Sequence, residues 1–252
     1  MPAVASAIPR QPAAGLARLR GIAFVILAFG LGVLLEGAGL SATVADYWED
    51  IAYLTPQHVM LTLISGGLAI LVGIPLGIVL SRPRARRFAE GVMQFLNVGT
   101  TIPTLAVLAL SMAFLGIGTV PAIFGLWVAS LLPIVRNTYP GLLEVPAHLR
   151  EAGAGMGMTP MQLLVRTEIP NALFVIFAGV RTALAINVGT VPLAFLIGGG
   201  GLGELIFTGI DLNEPGMMLA GAVMTALLAV IDDFLLAQAA YWLIPRGVNP
   251  LR

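Results

Sequence analysis

The sequence predicts an all-α membrane protein with about six transmembrane helices, and three observations support this class. Of the 252 residues, 58% are hydrophobic and only 10% are charged, whereas soluble domains are about 45–50% apolar and about 25% charged. The mean hydropathy is +0.95, and apolar runs of spanning length recur along the chain. This composition excludes a soluble enzyme, a disordered chain and a nucleic-acid-binding protein.

Six apolar runs are long enough for a helix to cross the bilayer, which takes about 20 residues. Helices fit because open strands would leave backbone groups without hydrogen bonds in lipid. The runs cover 21–40, 58–80, 91–115, 120–138, 171–197 and 217–244.

The spans divide the chain into four regions. We predict a cytoplasmic N-terminal segment at 1–20, an N-terminal transmembrane helix with its outer loop at 21–57, a transmembrane domain at 58–245 and a cytoplasmic tail at 246–252. The first span also resembles a signal peptide, and cleavage would leave five spans. We favour an uncleaved helix, because its apolar character continues to Leu40 without a clear Ala-x-Ala site.

The orientation follows from the basic residues, because short loops rich in Lys or Arg stay on the cytoplasmic side. All thirteen basic residues are Arg, and the connections on the opposite side carry mainly carboxylates. We therefore predict that both termini are cytoplasmic. Twelve of the Arg residues fall on this side, namely Arg10, Arg18, Arg20, Arg82, Arg84, Arg86, Arg87, Arg136, Arg150, Arg166, Arg246 and Arg252.

The longest cytoplasmic connection, 139–170, predicts two short helices. Pro146 can begin the first helix, which should stop at Gly155 and Gly157. Thr159 is an N-cap for the second helix, and we expect Pro170 to end that helix before the fifth span. Such a helix pair can lie among lipid headgroups or insert into a groove of a soluble partner. Pro160 and Gln162 complete the start signal of the second helix. Its apolar stripe consists of Met161, Leu164 and Val165.

In this connection a Glu-Ala-Gly tripeptide at 151–153 is followed by Gly157 and, thirteen residues later, by Pro170. This pattern resembles the cytoplasmic EAA loop of bacterial ABC-importer permeases. The family has Glu-Ala-Ala, Gly and Leu-Pro at these spacings, so Gly153 and Ile169 are the two departures. The resemblance implies an ATPase-coupling site at Glu151, Ala152, Gly153, Gly157, Thr159, Pro160 and Pro170.

The next span contains the stretches AGVRTALAINVGT at 178–190 and AFLIGGGGLG at 194–203. These stretches resemble the permeases for glycine betaine, carnitine, choline and related osmoprotectants, and the resemblance covers about 58–245. Val191-Pro192 departs from the Ala-Thr that is usual in the family, and Pro within a span can kink it. The resemblance implies a type I importer core of five helices, preceded here by one N-terminal helix, in a bacterial plasma membrane.

The resemblance also implies a transporter subunit that is not an enzyme and that works with several partners. These are two cytoplasmic ATPase subunits, a second permease subunit that we expect to be identical, an extracytoplasmic solute-binding protein and the lipid bilayer. Without Lys the chain has no Gly-x-x-x-x-Gly-Lys phosphate loop. We therefore expect no cofactor on this chain, and ATP and Mg on the partner ATPase.

Two alternative functions stay open from the residues. One is a permease of the same architecture for another small solute, such as an amino acid or an unusual betaine. The other is a secondary transporter driven by an ion gradient, in which membrane-embedded charges would form a proton or sodium relay. The inverted repeats that many such transporters contain are not evident in this sequence.

Four polar residues at membrane depth are candidates for the transport path or for a buried ion pair. Arg181 lies about ten residues inside the fifth span, or about 15 Å at 1.5 Å per residue, and Asp232 and Asp233 lie at similar depth in the last span. Charges at this depth normally pair or face water. Consecutive side chains point about 100° apart, so we predict that Arg181 pairs with one Asp only. Asn187 can bond a solute or a neighbouring helix.

Two further features have structural interpretations. His58 and His148 have no second ligand at metal spacing, so we expect surface or capping roles and no metal site. The glycine run Gly198–Gly203 follows a span and not a strand that leads into a helix. It therefore predicts a tight re-entry of the chain and not a phosphate cradle.

Overall fold

The computed structural model describes residues 37, 39–99 and 101–248, so segment 1–20 and nearly all of the predicted first span lie outside the described residues. The chain forms two compact units, Met1–Asp46 and Tyr47–Arg252. In the first unit the structure describes one short helix, α1 (Leu40–Asp46).

The second unit is helical throughout its described part. A π-helical turn precedes the long helix α8, and a 3-10 helix follows it. The helices are α2 (Trp48–Leu80), α3 (Arg86–Gly99), α4 (Thr104–Leu115), α5 (Thr119–Leu143), α6 (Ala147–Gly155), α7 (Pro160–Leu163), the π-helical turn (Leu164–Glu168), α8 (Ile169–Thr190), the 3-10 helix (Val191–Ile197), α9 (Gly203–Asp211) and α10 (Pro215–Leu243).

Four helical stretches in the described part of the chain are long and apolar enough to cross a membrane. A fifth span arises if the bent pair α3 and α4 is counted as one. The four continuous stretches are Trp48–Leu80, Thr119–Leu143, Pro160–Ile197 and Pro215–Leu243.

The first of these spans begins ten residues earlier than the predicted start at 58. Residues assigned from the sequence to the outer loop therefore form the start of α2. Glu49 and Asp50 lie in its first turn, where carboxylates are stabilised by the unpaired N–H groups of the helix N-terminus. Apolar character alone could not reveal this polar turn.

The apolar run 91–115 was predicted as one helix, and this is wrong. The run forms α3 and α4, which meet at an angle of 100°. Pro103 lies at the break as the N-cap of α4, with an extended ψ of 137°. Because proline disfavours helical geometry in the residue before it, the chain stops one helix there and starts another.

Helix α5 lies at the centre of the second unit and packs along α2, α4 and α8. Glycine allows its close approach to α2: a Cβ placed on Gly77 would lie 2.6 Å from the Cβ of Thr138. Small residues let membrane helices approach closely in this way.

The proline in the fifth span lies where the helix geometry changes. Helix α8 changes to 3-10 geometry at Val191, with Pro192 in the first turn. The glycine run then turns the chain tightly, and Gly198, Gly200 and Gly201 all have positive φ angles near 80°. The backbone N–H of Gly201 donates to Gln57 Oε1 at 3.3 Å, which joins the turn to α2.

Candidate functional site

The two short helices predicted for the connection 139–170 are present, and we call residues 147–168 the coupling segment after the role proposed for them below. The first, α6, follows Pro146 and ends at Gly155. At the start of α7 the N–H of Gln162 donates to Thr159 Oγ1 at 3.3 Å, and the N–H of Thr159 donates to Gln162 Oε1 at 2.9 Å. This is the predicted capping box.

Gly153 and Gly157 of the coupling segment have different structural roles. Gly157 has a φ of +80° in the turn between α6 and α7, a conformation that costs other residues about 1–2 kcal/mol. Gly153 is buried, and a Cβ there would lie 2.7 Å from Leu163 Cδ1. Gly153 therefore lets α6 lie against α7, and an Ala at this position would require Leu163 to move.

Pro170 does not end the second helix of the connection, contrary to the sequence prediction. It lies in the first turn of α8, and the helical stretch Pro160–Ile197 continues through it. The π-helical turn before Pro170 changes the hydrogen-bonding register, so the N–H that proline lacks does not break the rod. The coupling segment is thus joined directly to a membrane span.

The coupling segment exposes an apolar surface. Met156, Met161 and Val165 are exposed, whereas Leu164 packs against the buried cluster that includes Leu142. The predicted apolar stripe therefore divides between the core and the surface. Glu151 and Ala152 are also exposed beside it.

An ion pair that the sequence did not predict holds the end of the coupling segment. Arg82 Nη1 lies 2.6 Å from Glu168 Oε2, and the Glu168 side chain is only 7% exposed. Arg82 also donates to Ser81 Oγ and to the carbonyl of Ile78. The available signal was a carboxylate, two residues before Pro170, on the Arg-rich side of the chain.

The membrane-depth charges form the predicted type of pair, with Asp233 as the partner. Arg181 Nε and Nη2 donate to Asp233 Oδ1 and Oδ2 at 2.6 and 2.7 Å. The pair is not buried within this chain, because its side chains are 45% and 46% exposed.

Asn187 contacts neighbouring helices. It is 1% exposed, and its Nδ2 donates to Ser65 Oγ at 2.8 Å and to Ser130 Oγ at 2.7 Å. Because these serines lie on α2 and α5, the amide joins three helices. Of the two roles predicted for Asn187, the geometry favours the contact between helices.

His58 is fully buried, so the expected surface or capping role is wrong. Its Nε2 lies 3.1 Å from the Val188 carbonyl oxygen and donates to it. Asp232 lines the same cavity of about 150 Å³, and no described group hydrogen-bonds to its Oδ2. Across the described ranges no three acidic or His side chains converge as metal ligands.

Comparisons with known proteins agree with this architecture. Residues 73–246 match the family described as the binding-protein-dependent transport system inner membrane component. The osmoprotectant import permease protein OsmY of Salmonella typhimurium is 54% identical over 233 residues, which are 92% of this chain and 98% of the relative. The choline transport system permease protein OpuBB of Bacillus subtilis is 42% identical over 203 residues, which are 81% of this chain and 93% of the relative.

A solved structure shows the same fold. The MetNI methionine ABC transporter in an inward-facing conformation matches with a TM-score of 0.70 at 24% identity. The match covers 79% of this chain and 96% of that one. At this identity the likeness establishes the architecture of the spans and not the solute.

Proposed function

The chain belongs to the inner membrane components of binding-protein-dependent transport systems, and on this premise we propose that it carries osmoprotectants such as glycine betaine, choline or carnitine into the cell. It is a transporter subunit and not an enzyme, and ATP is hydrolysed by a separate subunit. The observation that carries the solute class is the 54% identity, over nearly both full lengths, to a relative named as an osmoprotectant import permease.

The coupling segment is the proposed contact with the ATPase. A helix pair with exposed Met156, Met161 and Val165 fits an apolar groove on a soluble partner. One ATPase subunit would bind each of two permease subunits. ATP and Mg would bind to the ATPase subunits. The proposed coupling residues are Glu151, Ala152, Gly153, Gly157, Thr159, Pro160 and Pro170.

The remaining partners follow from the family. Its description as binding-protein-dependent supports a solute-binding protein that docks on the outer face, near α9. We propose that a second copy of this chain completes the permease. The Arg asymmetry supports cytoplasmic termini.

Uptake by the reconstituted system tests the proposed function. Proteoliposomes that hold the permease, its ATPase and its solute-binding protein should accumulate labelled betaine, choline or carnitine only with internal ATP. Glu151→Lys should remove uptake while the permease remains folded and ATP hydrolysis continues, because it places a positive charge on the exposed docking surface.

Two outcomes would contradict the proposal. Full ion-driven uptake by the permease alone would show a secondary transporter. Normal uptake by the Glu151→Lys variant would remove the coupling role of that residue. As a control for folding, the variant should elute as a single species in detergent.

A further inference from the structure

The side chains of the Arg181–Asp233 pair are exposed on this chain, at a depth in the membrane where exposed charges are rare. Arg181 is twelve residues after the start of α8 at Ile169, and Asp233 is ten residues before the end of α10 at Leu243. At 1.5 Å per residue these separations are about 18 and 15 Å. Charged side chains inside a membrane normally face the bundle interior or a water-filled cavity, so this face of the chain is not turned to lipid.

The surface around the pair is recessed. The recess is wide and shallow, and its volume is about 460 Å³. Its other lining residues are small or of moderate size, namely Ala178, Thr182, Ala185 and Ile186.

The pair is self-neutralising but accessible. Both N–H···O contacts are short and parallel, and nearly half of each side chain is exposed. An arriving carboxylate can therefore reach the guanidinium, and an arriving cation can reach the carboxylate. A solute that brings both charges can replace both partners at once, so that no charge is left unpaired.

We propose that this recess is a transit site for zwitterionic solutes, in which the solute carboxylate takes the place of Asp233 on Arg181 while its ammonium group takes the place of Arg181 beside Asp233. The site rests on the proposed function and names the solute chemistry that it favours. Glycine betaine and carnitine carry both charges. Choline carries only the cation and would leave Arg181 without a partner.

Single neutralisations should therefore change selectivity in opposite directions. In Arg181→Gln the lone Asp233 carboxylate attracts the cation, so the ratio of choline to betaine uptake should rise about tenfold. In Asp233→Asn the lone guanidinium repels choline but holds a carboxylate, so the ratio should fall about tenfold. Each change corresponds to about 1.4 kcal/mol.

The experiment measures both solutes in the reconstituted system with ATPase and solute-binding protein. Glu90→Gln is the control, because it removes a carboxylate charge from an exposed position of α3 outside the recess, and it should leave the ratio unchanged. Ala185→Glu and Ala185→Lys add charge to the recess with the ion pair intact. They should raise and lower the ratio respectively, even if the pair variants do not fold.

The outcomes separate the site from the function. Opposite shifts in the two Arg181 and Asp233 variants, or in the two Ala185 variants, support the site. If the wild-type system transports both solutes and the variants lose uptake of both equally, without a shift in ratio, the site is overturned. The ion pair then has only a structural role, as a brace between helices or a subunit contact. If the wild-type system moves neither solute, both the proposed function and the site are overturned.

Discussion

Asn187 is a single residue that holds three membrane helices together. Its amide donates to Ser65 on α2 and to Ser130 on α5, and each serine hydroxyl also donates to a carbonyl of its own helix. Hydrogen bonds between helices retain value in lipid, where unpaired polar groups find no water. The three side chains therefore fix how the helices are rotated against each other.

Asn187→Leu should lower the stability of the detergent-solubilised protein by about 1–2 kcal/mol, because two hydrogen bonds between helices are lost. Thermal unfolding followed by monodispersity would measure the change. Thr190→Val is the matched control, since the Thr190 hydroxyl donates only within its own helix, and it should change the midpoint much less. An unaltered midpoint for Asn187→Leu would contradict the bracing role.

The predicted ion pair of Arg181 is present, because charged side chains at membrane depth normally pair with one another. The pairing of Arg181 with one Asp follows from depth and helix geometry alone. The identity of that Asp depends on how α8 and α10 are rotated against each other. The burial of His58 also depends on contact with Val188, which is 130 residues away in the chain.

At the element scale, Arg82 and Glu168 connect the end of α2 to the coupling segment. The Glu168 carboxylate is nearly buried and lies in the π-helical turn, a geometry that often marks functional positions in helices. A movement of α6 and α7 therefore reaches α2 through this contact as well as reaching α8 through the backbone.

Reversing one charge of this pair should reduce uptake per ATP hydrolysed, because a buried charge without its partner is strongly disfavoured. Arg82→Glu and Glu168→Arg are the single variants, and the double exchange should recover part of the coupling. The ratio of solute transported to phosphate released measures the effect. If the double variant were no better than either single one, the direct contact would not carry the coupling.

The helices were predicted best where the sequence contains a long, uninterrupted apolar run. The runs 120–138 and 217–244 correspond to α5 and α10 within a few residues, because long apolar stretches are unambiguous. The break at Pro103 and the continuous helix through Pro170 were both missed. Pro103 follows a break between two helices, whereas Pro170 lies in the first turn of a helix that continues from the preceding segment. The backbone geometry of the preceding turn decides between these outcomes, and apolar periodicity does not describe that geometry.

At the scale of the whole molecule, much of the apolar surface of the spans is left uncovered by this chain. On α10 the large side chains Val230, Phe234 and Leu235 are all exposed. Lipid and a second subunit are the surroundings that suit such surfaces. The sequence predicted this environment from composition, whereas which faces meet protein and which meet lipid depends on the assembly.

The orientation in the membrane can be measured cleanly because the chain has no Cys. His148→Cys, in α6, and Leu212→Cys, just after α9, introduce single exposed thiols. A membrane-impermeant thiol reagent should label Leu212→Cys in intact cells and His148→Cys only after permeabilisation, with the cysteine-free parent unlabelled. The reverse pattern would invert the proposed topology.

The helical stretch Pro160–Ile197 has 38 residues, so it is about 60 Å long, at about 1.5 Å per residue before Val191 and about 2.0 Å per residue in the 3-10 helix. If such a rod tilts by about 5° around Pro160, its far end at Ile197 moves sideways by about 5 Å, from its length alone. That displacement exceeds the 3.3 Å distance between Gly201 N and Gln57 Oε1 at the glycine turn. If the ATPase binds the coupling segment as proposed, a small rotation there is therefore enough to separate the glycine turn from α2.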